Sequence, residues 1–326
     1  MSQALLSIEN LSVRFKTYAG TIHAVNSMSF DVRPGEIFGL VGESGCGKSV
    51  TGLAVVRTLP GSGRISGGRI LFHGEDLAAK SEAEMQAIRG RRIAMVFQDP
   101  TASLNPVFTI GQQIDHIIRH HTGDDHETAR RKALEWFNAV ALPDPLAVYD
   151  TYPHRLSGGM QQRVMIAMAL CSGAELLIAD EPTTALDVTI QAQILELLVK
   201  LRDQQGISIL LITHNLGVVA ETCERVAVAY AGQIVETGPT SAVLARRLHP
   251  YTEGLLAALP TAVQKGQTLQ PIAGQVPDGL QPIAGCPFHP RCSKALPVCA
   301  QVNPALLPVE HADHLTACHL YTEAAA

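Results

Sequence analysis

The sequence predicts an α/β fold built on a parallel sheet, and three stretches carry that prediction. Ile37 to Val41 (IFGLV) is a short apolar run that opens directly into Gly42-Glu43-Ser44-Gly45-Cys46-Gly47-Lys48-Ser49. Leu176 to Ala179 is a second apolar run, closing on the carboxylates Asp180 and Glu181. Ser208 to Ile212 is a third, ending in Thr213-His214. Runs of this length without alternation read as strands buried on both faces. Open α/β sheets place their chemistry at the C-terminal ends of such strands.

The remaining elements follow in order. Leu5 to Phe15 and Asn26 to Val32 read as strands, with Pro34-Gly35 turning the chain. Arg69 to His73 and Ile93 to Phe97 are further strands, the second ending on Gln98 before Asp99-Pro100. From Thr109 to Val140 the pattern becomes helical and heavily charged. His120, His121 and His126 fall there without ligand spacing, and a solvated helix–loop–helix packed by Trp136 and Phe137 accounts for them. Val188 to Gln205 is an amphipathic helix, and Arg225 to Tyr230 with Gln233 to Glu236 form a hairpin around Ala231-Gly232.

The loop at Gly42 to Ser49 fits G-x-x-x-x-G-K-[ST]. Glycines let main-chain N–H groups curl round phosphates, Lys48 reaches the β and γ oxygens, and the Ser49 hydroxyl meets Mg²⁺. Asp180 suits Mg²⁺, directly or through water, and Glu181 suits orienting and polarising a water. Leu156-Ser157-Gly158-Gly159-Met160-Gln161 is a small-residue turn opening a helix, whose unpaired N–H groups favour an anion. By chemistry alone Gln98 reads equally as a contact to Mg²⁺ or the attacking water and as a satisfied turn residue. His214 leaves a core strand where hydrogen bonding to a γ-phosphate is open to it.

Composition sets limits. A chain of 326 residues with 46% apolar content buries a substantial core, and a net charge of −5 with pI near 6.2 leaves no basic footprint for nucleic acid. Val164 to Ala179 is interrupted by Ser172, Gly173 and Glu175 and does not reach a membrane span, and the N-terminus lacks a signal-peptide pattern. A soluble, cytosolic protein is the expectation, in which disulfides are disfavoured. Beyond Pro260 the composition shifts to Pro, Gly, Gln and Cys, and four of seven cysteines crowd there: Cys286, Cys292, Cys299 and Cys318. Clustering suggests metal ligation. The absence of C-x2-C knuckles favours an iron–sulfur cluster over zinc, with free thiols in a loose tail as the alternative.

These motifs, collinear and in order, resemble the ATP-binding subunits of ABC transporters along the whole chain. Gly42 to Ser49 looks like Walker A, LSGGMQQR like the ABC signature, and Leu176 to Asp180 like Walker B with Glu181 as the catalytic carboxylate. Gln98 matches the Q-loop, Ala185-Leu186-Asp187 the D-loop and His214 the switch histidine. FQDPTASLNP, ADEPTTALDVTIQAQIL, YAGQIVETG and HPYTEGLLAALP are similar to the dipeptide/oligopeptide/nickel uptake branch, whose C-terminal extension carries a CPFHPRC-type cysteine cluster.

The resemblance implies a P-loop NTPase with a RecA-like core, an antiparallel β subdomain and an α-helical subdomain at about 99–157, all within 1–258, plus a small Cys-containing extension at 259–326. It implies catalytic roles for Glu181, His214, Lys48 and Gln98, and ATP binding by Gly42 to Ser49 with Val50. Mg²⁺ would be held through Ser49, Gln98 and Asp180. Ser157, Gly158, Gly159 and Gln161 would meet ATP bound to another subunit, with Asp187 beside them. A [4Fe–4S] cluster on the four clustered cysteines is implied by several members of the branch. So are a second, usually different, ATPase subunit, two transmembrane permeases and an extracytoplasmic solute-binding protein, placing the chain at the cytoplasmic face of the membrane. The implied activity is ATP hydrolysis driving uptake of di- or oligopeptides, with nickel or another small solute, or a soluble non-transport role, as alternatives. The segment Tyr18 to Ala24 departs from the family pattern, so Tyr18 is the nearest candidate for stacking on adenine. Cys46 stands where serine is common, which raises the expectation of sensitivity to oxidation.

Overall fold

A computed structural model describes residues 4–184, 186–258, 272–281, 283–309 and 311–321. Ala185 of the D-loop segment and the compositional break at Pro260 lie outside them. In chain order, β1 (Leu6–Thr17) and β2 (Gly20–Val32) precede β3 (Ile37–Val41), α1 (Lys48–Val55), β4 (Gly63–Phe72) and β5 (Glu75–Asp76). Then come α2 (Glu82–Ile88), β6 (Ile93–Val96), α3 (Pro100–Ser103), α4 (Ile110–Thr122), α5 (His126–Ala139), α6 (Pro145–Tyr149) and α7 (Gly158–Leu170). β7 (Leu176–Asp180), α8 (Val188–Gln205), β8 (Ser208–Thr213), α9 (Leu216–Thr222), β9 (Arg225–Tyr230) and β10 (Gln233–Pro239) follow. α10 (Thr240–Arg246), α11 (Pro250–Ala257), β11 (Leu307–Val309) and β12 (His311–Thr316) complete the order.

The elements fall into two compact units: Met1–Arg33, Ile37–Ala79 and Ile212–Ala326 make the first, Pro34–Glu36 and Lys80–Leu211 the second. In the first, an antiparallel sheet has the order β2-β1-β4-β5, and a second sheet runs β11-β12-β10-β9-β3. β3 pairs in parallel with β9, Phe38 opposite Arg225, and all five of its residues are buried, as its unbroken apolar run requires. Phe30 of β2 stacks on Phe38 of β3, with ring centroids 5.3 Å apart. The tail adds β12 to β10, Glu236 opposite Thr316, so the C-terminal extension is hydrogen-bonded into this sheet. Beneath that joint the fully buried Glu236 carboxylate accepts from the N–H groups of Leu248 and His249, and lies 2.8 Å from His314 Nε2.

In the second unit β6 and β7 pair in parallel, Ile93 opposite Leu176. α4 opens with a Thr109–Gln112 capping box and closes on Gly123 at φ 76°, and Asp125 caps α5. Ile110, Ile114 and Ile118 of α4 and Ala129, Ala133 and Phe137 of α5 are fully buried, which is the helix pair expected from the sequence. Trp136 is only half-buried.

Candidate nucleotide site

The phosphate-type loop lies where the sequence puts it, between β3 and α1. Gly45 and Gly47 adopt φ of 87° and 90°, conformations that a Cβ disfavours. A Cβ on Gly47 would stand 2.3 Å from the Ala24 carbonyl oxygen, and one on Gly42 would stand 2.2 Å from that of Ala229. Lys48 is buried and donates to the carbonyls of Gly42 (2.7 Å) and Glu43 (2.9 Å), which holds the ammonium inside the curl of the loop. Ser44, Gly45 and Ser49 are exposed, and Val50 is half-buried.

Cys46 is fully buried, and burial pushes its thiol pKa up. Thiol reactivity requires both access and thiolate, so the expected sensitivity to oxidation is overturned: Cys46 packs as a small apolar residue. A cavity of about 270 Å³ opens beside the loop, lined by His23, Asn26, Gly45, Ala231, Gln233 and Asp278 among others. Tyr18 lies at the fully exposed turn between β1 and β2 and does not line it. The tail closes one wall of this cavity, with the His23 N–H donating to the Gly279 carbonyl at 2.9 Å.

In the same unit His214 follows β8 and is exposed, while Thr213 Oγ1 accepts from the Asn215 N–H and Asn215 caps α9. The second unit carries the carboxylates. Asp180 is the buried last residue of β7, and Glu181 follows in a left-handed conformation, φ 48°. Gln98, exposed just beyond β6, donates from Nε2 to Glu181 Oε2 at 3.3 Å, and Thr184 Oγ1 donates to the same oxygen at 2.9 Å. The structure thus brings together two residues 83 positions apart that the sequence singled out separately.

Ser157 caps α7, and Ser157 and Gly158 are exposed at its N-terminus, where free N–H groups and the helix dipole favour an anion. Gly159 is buried: a Cβ there would stand 2.7 Å from Ile190 of α8. Gln161 departs from the expected ligand-facing role. It is buried, and its amide donates to the carbonyls of Pro153 and Leu156, so it braces the turn before the helix. Asp187 caps α8 by accepting from the Ile190 N–H at 2.9 Å.

All seven cysteines are free thiols. Cys286, Cys299 and Cys318 are buried and Cys292 is half-buried. Burial, followed by lesser effects that include repulsion from the other clustered thiols, pushes Cys318 up to about 11. Cys286 and Cys292 are raised for the same leading reason. The Leu296 N–H points at Cys299 Sγ, 3.4 Å away. Among the described residues no group of three or more His, Cys, Asp or Glu is arranged to hold a metal ion.

Sequence reasoning missed two residues that act on the loop. Arg291 forms a two-pronged ion pair with Glu43, at 2.7 and 3.0 Å, and Tyr251 accepts the Glu43 N–H at 2.8 Å. Arg291 stands inside the CPFHPRC stretch, so its motif was visible, but nothing local signals a partner 248 positions away.

A glycine loop on a parallel strand, a strand ending in Asp-Glu and a Ser-Gly-Gly helix start define the class: a P-loop nucleotide-binding cassette. Residues 25–184 match the ABC transporter family, and residues 235–299 match the oligopeptide/dipeptide transporter C-terminal region. The chain is 48% identical to the dipeptide transport ATP-binding protein DppD of Bacillus subtilis, over 93% of this chain and 90% of that one. It is 47% identical to DppD of Escherichia coli, over 93% of each. Among solved structures, the dimeric ATP-binding cassette MJ0796 bound to ADP and Pi shares 26% identity at a TM-score of 0.64, over 72% of this chain and 98% of that one. The cbiO1 subunit of Clostridium perfringens shares 27% at 0.65, over 76% and 92%. The chain belongs to the ATP-binding subunits of ABC transporters, in the dipeptide/oligopeptide branch. Among the described residues no helix is long and apolar enough to cross a membrane.

Proposed function

We propose that this chain is the ATP-hydrolysing subunit of an importer for di- or oligopeptides, working against two membrane permeases at the inner face of the membrane. The observation that carries the reading is near-full-length likeness to dipeptide-transport ATPases that extends into the tail region. A second ATPase chain, different from this one, would close on it head to tail, and a solute-binding protein would deliver the peptide outside. The dimeric state of the solved cassette supports the pairing.

The phosphates would lie along the Gly42 to Ser49 loop and the nucleoside in the adjoining cavity. Glu181 polarises water for in-line attack on the γ-phosphate, and Gln98, hydrogen-bonded to Glu181, holds that carboxylate in place. Lys48 and His214 stabilise the charge that develops, and Ser157 with the Gly158 and Gly159 N–H groups does so from the partner's side. Ser49, Asp180 and Gln98 offer the oxygen donors that suit Mg²⁺, and they would hold it. When bound, the ion neutralises charge on the β and γ oxygens. Glu181→Gln is expected to bind ATP as the parent does and to hydrolyse it at least about a hundredfold more slowly. Near-normal turnover by this variant overturns the assignment. In the purified complex with its permeases, ATPase stimulation by peptides and binding protein, and none by nickel, is the outcome that supports the solute.

The four clustered thiols would hold a [4Fe–4S] cluster. Sulfur-only donors, burial and the N–H aimed at Cys299 Sγ support this reading. Anaerobically purified protein should contain iron and absorb in the visible, and both should vanish in Cys286→Ser. Zinc in place of iron overturns this assignment.

A further inference from the structure

Glu43 of the phosphate-type loop is fastened through its N–H, its carbonyl and its carboxylate, and two of the partners, Tyr251 and Arg291, lie more than 200 positions further along the chain. Its N–H donates to Tyr251 Oη at 2.8 Å. Its carbonyl accepts from Lys48 Nζ at 2.9 Å and from the Cys46 N–H at 3.3 Å, and its carboxylate grips Arg291 through both oxygens. Arg291 is itself seated. Nε donates to the Ala273 carbonyl (2.8 Å), Nη2 to the Ile272 carbonyl (3.4 Å) and Nη1 to Tyr230 Oη (3.4 Å), and the guanidinium lies over the Tyr230 ring. Its side chain is only 5% exposed. A planar fork held at every donor positions a carboxylate in a way that a flexible ammonium does not.

Apart from Tyr230 of β9, the seat belongs to the extension. Arg291 ends the one-turn helix His289–Arg291 between Cys286 and Cys292, and Phe288 packs against both Tyr230 and Tyr251, ring centroids 5.2 and 5.3 Å away. The same cysteine-bearing loop therefore carries the arginine and buttresses the tyrosine.

We propose that Arg291 and Tyr251 are positioning residues for ATP. Arg291 of the extension and Tyr251 of α11, which Phe288 of the extension packs against, clamp Glu43 from two directions and hold the phosphate-binding loop in its receptive curl, so the tail sets ATP affinity. The proposal rests on the ATPase reading above and deepens it. Neither residue needs to touch nucleotide: with Glu43 fixed, Lys48 and the loop N–H groups are preorganised. Without the clamp, ATP binding has to order the loop itself, and affinity falls by that cost.

ATP affinity is measured on the full-length chain in a Glu181→Gln background, so that bound ATP persists, alongside the turnover and KM of the hydrolysing chain paired with its partner ATPase. Arg291→Ala is expected to weaken ATP binding about tenfold or more, the scale of a charge-assisted hydrogen bond. KM should rise with it, while kcat at saturating ATP changes little. Arg291→Lys, which keeps the charge and loses the fork, should fall between. Glu43→Gln should weaken binding similarly, and the double variant should be no worse than the worse single one, because both changes remove one contact. Unchanged affinity in Arg291→Ala, or fully additive losses in the double variant, overturns the clamp. So does a fall in melting temperature with ATP affinity intact. Should Arg291→Ala fail to fold, Glu43→Gln with Tyr251→Phe, which keeps Arg291 and its bonds to Ala273, Ile272 and Tyr230, decides the matter: parental affinity in that chain overturns it. A parent chain that neither binds nor hydrolyses ATP defeats the ATPase reading instead.

Discussion

Glu181 shows what one residue of this chain concedes for its position. A glutamate at φ 48° sits in a region that non-glycine residues occupy at a cost of about 1–3 kcal/mol, and bonds from Gln98 and Thr184 hold its carboxylate there. The sequence announced the carboxylate, as a charge at the end of an apolar run, but no local signal announces the left-handed backbone. Glycine faces the opposite constraint. At Gly47 the backbone is left-handed and a Cβ would collide with the Ala24 carbonyl, so the pattern G-K-S encodes steric need as well as phosphate chemistry. Gly47→Ala is therefore expected to cost about 1–3 kcal/mol in backbone strain before the collision is counted. A lower urea midpoint together with lost ATP binding is the expected result. Parental stability and affinity would contradict the geometry.

At the scale of elements, the joint between β10, β12 and α11 concentrates buried polarity. His249 caps α11 by accepting the Tyr251 N–H on Nδ1, is 1% exposed, and burial lowers its pKa to about 4. With the folded value below the unfolded value near 6.5, the unfolded chain binds the extra proton first. The contribution of His249 is thus fully present above pH 6.5 and is lost as pH falls through 4, on the order of 3 kcal/mol in total. His249→Asn keeps a capping acceptor and removes the titration, so its urea midpoint should fall less than the parent's between pH 7 and pH 5. Parallel losses in the two proteins would contradict the assignment. Glu236→Ala should cost about 3 kcal/mol or more, since two backbone donors and His314 lose their acceptor in the interior. An unchanged melting temperature would show that water reaches the joint. Most elements were legible in the sequence: β3, α8 and β9 match the sequence reading at both ends, because apolar period and turn residues agree there. β4 was legible only in its second half. The sequence reading begins the strand at Arg69, yet it starts at Gly63 and runs through Gly67-Gly68, because Gly68 at φ 84° fits against the Asn10 carbonyl opposite a register shift in β1.

For the whole molecule, what the sequence concealed is pairing across long separations. Nothing near Glu43 names Arg291, and nothing near β10 names β12, because contact between distant segments is fixed by packing that local pattern does not encode. The anion-favouring start of α7 poses the largest such question, since its proposed nucleotide belongs to a second ATPase chain. Pairing of that kind makes activity cooperative in protein. Turnover per chain should fall on dilution and recover when an excess of a second chain is added that cannot bind ATP itself but presents an intact Ser157-Gly158-Gly159 face. Two such chains serve: this polypeptide carrying Lys48→Ala, and the partner ATPase with its own phosphate-loop lysine replaced. Neither hydrolyses ATP alone, so any rise in rate comes from pockets completed across two chains. Gly158→Asp placed on the same added chain should abolish the rescue, because a carboxylate at the helix start repels the γ-phosphate. A rate strictly proportional to concentration, unmoved by either chain, would mean that one polypeptide completes its own site and that the exposed start of α7 serves another purpose.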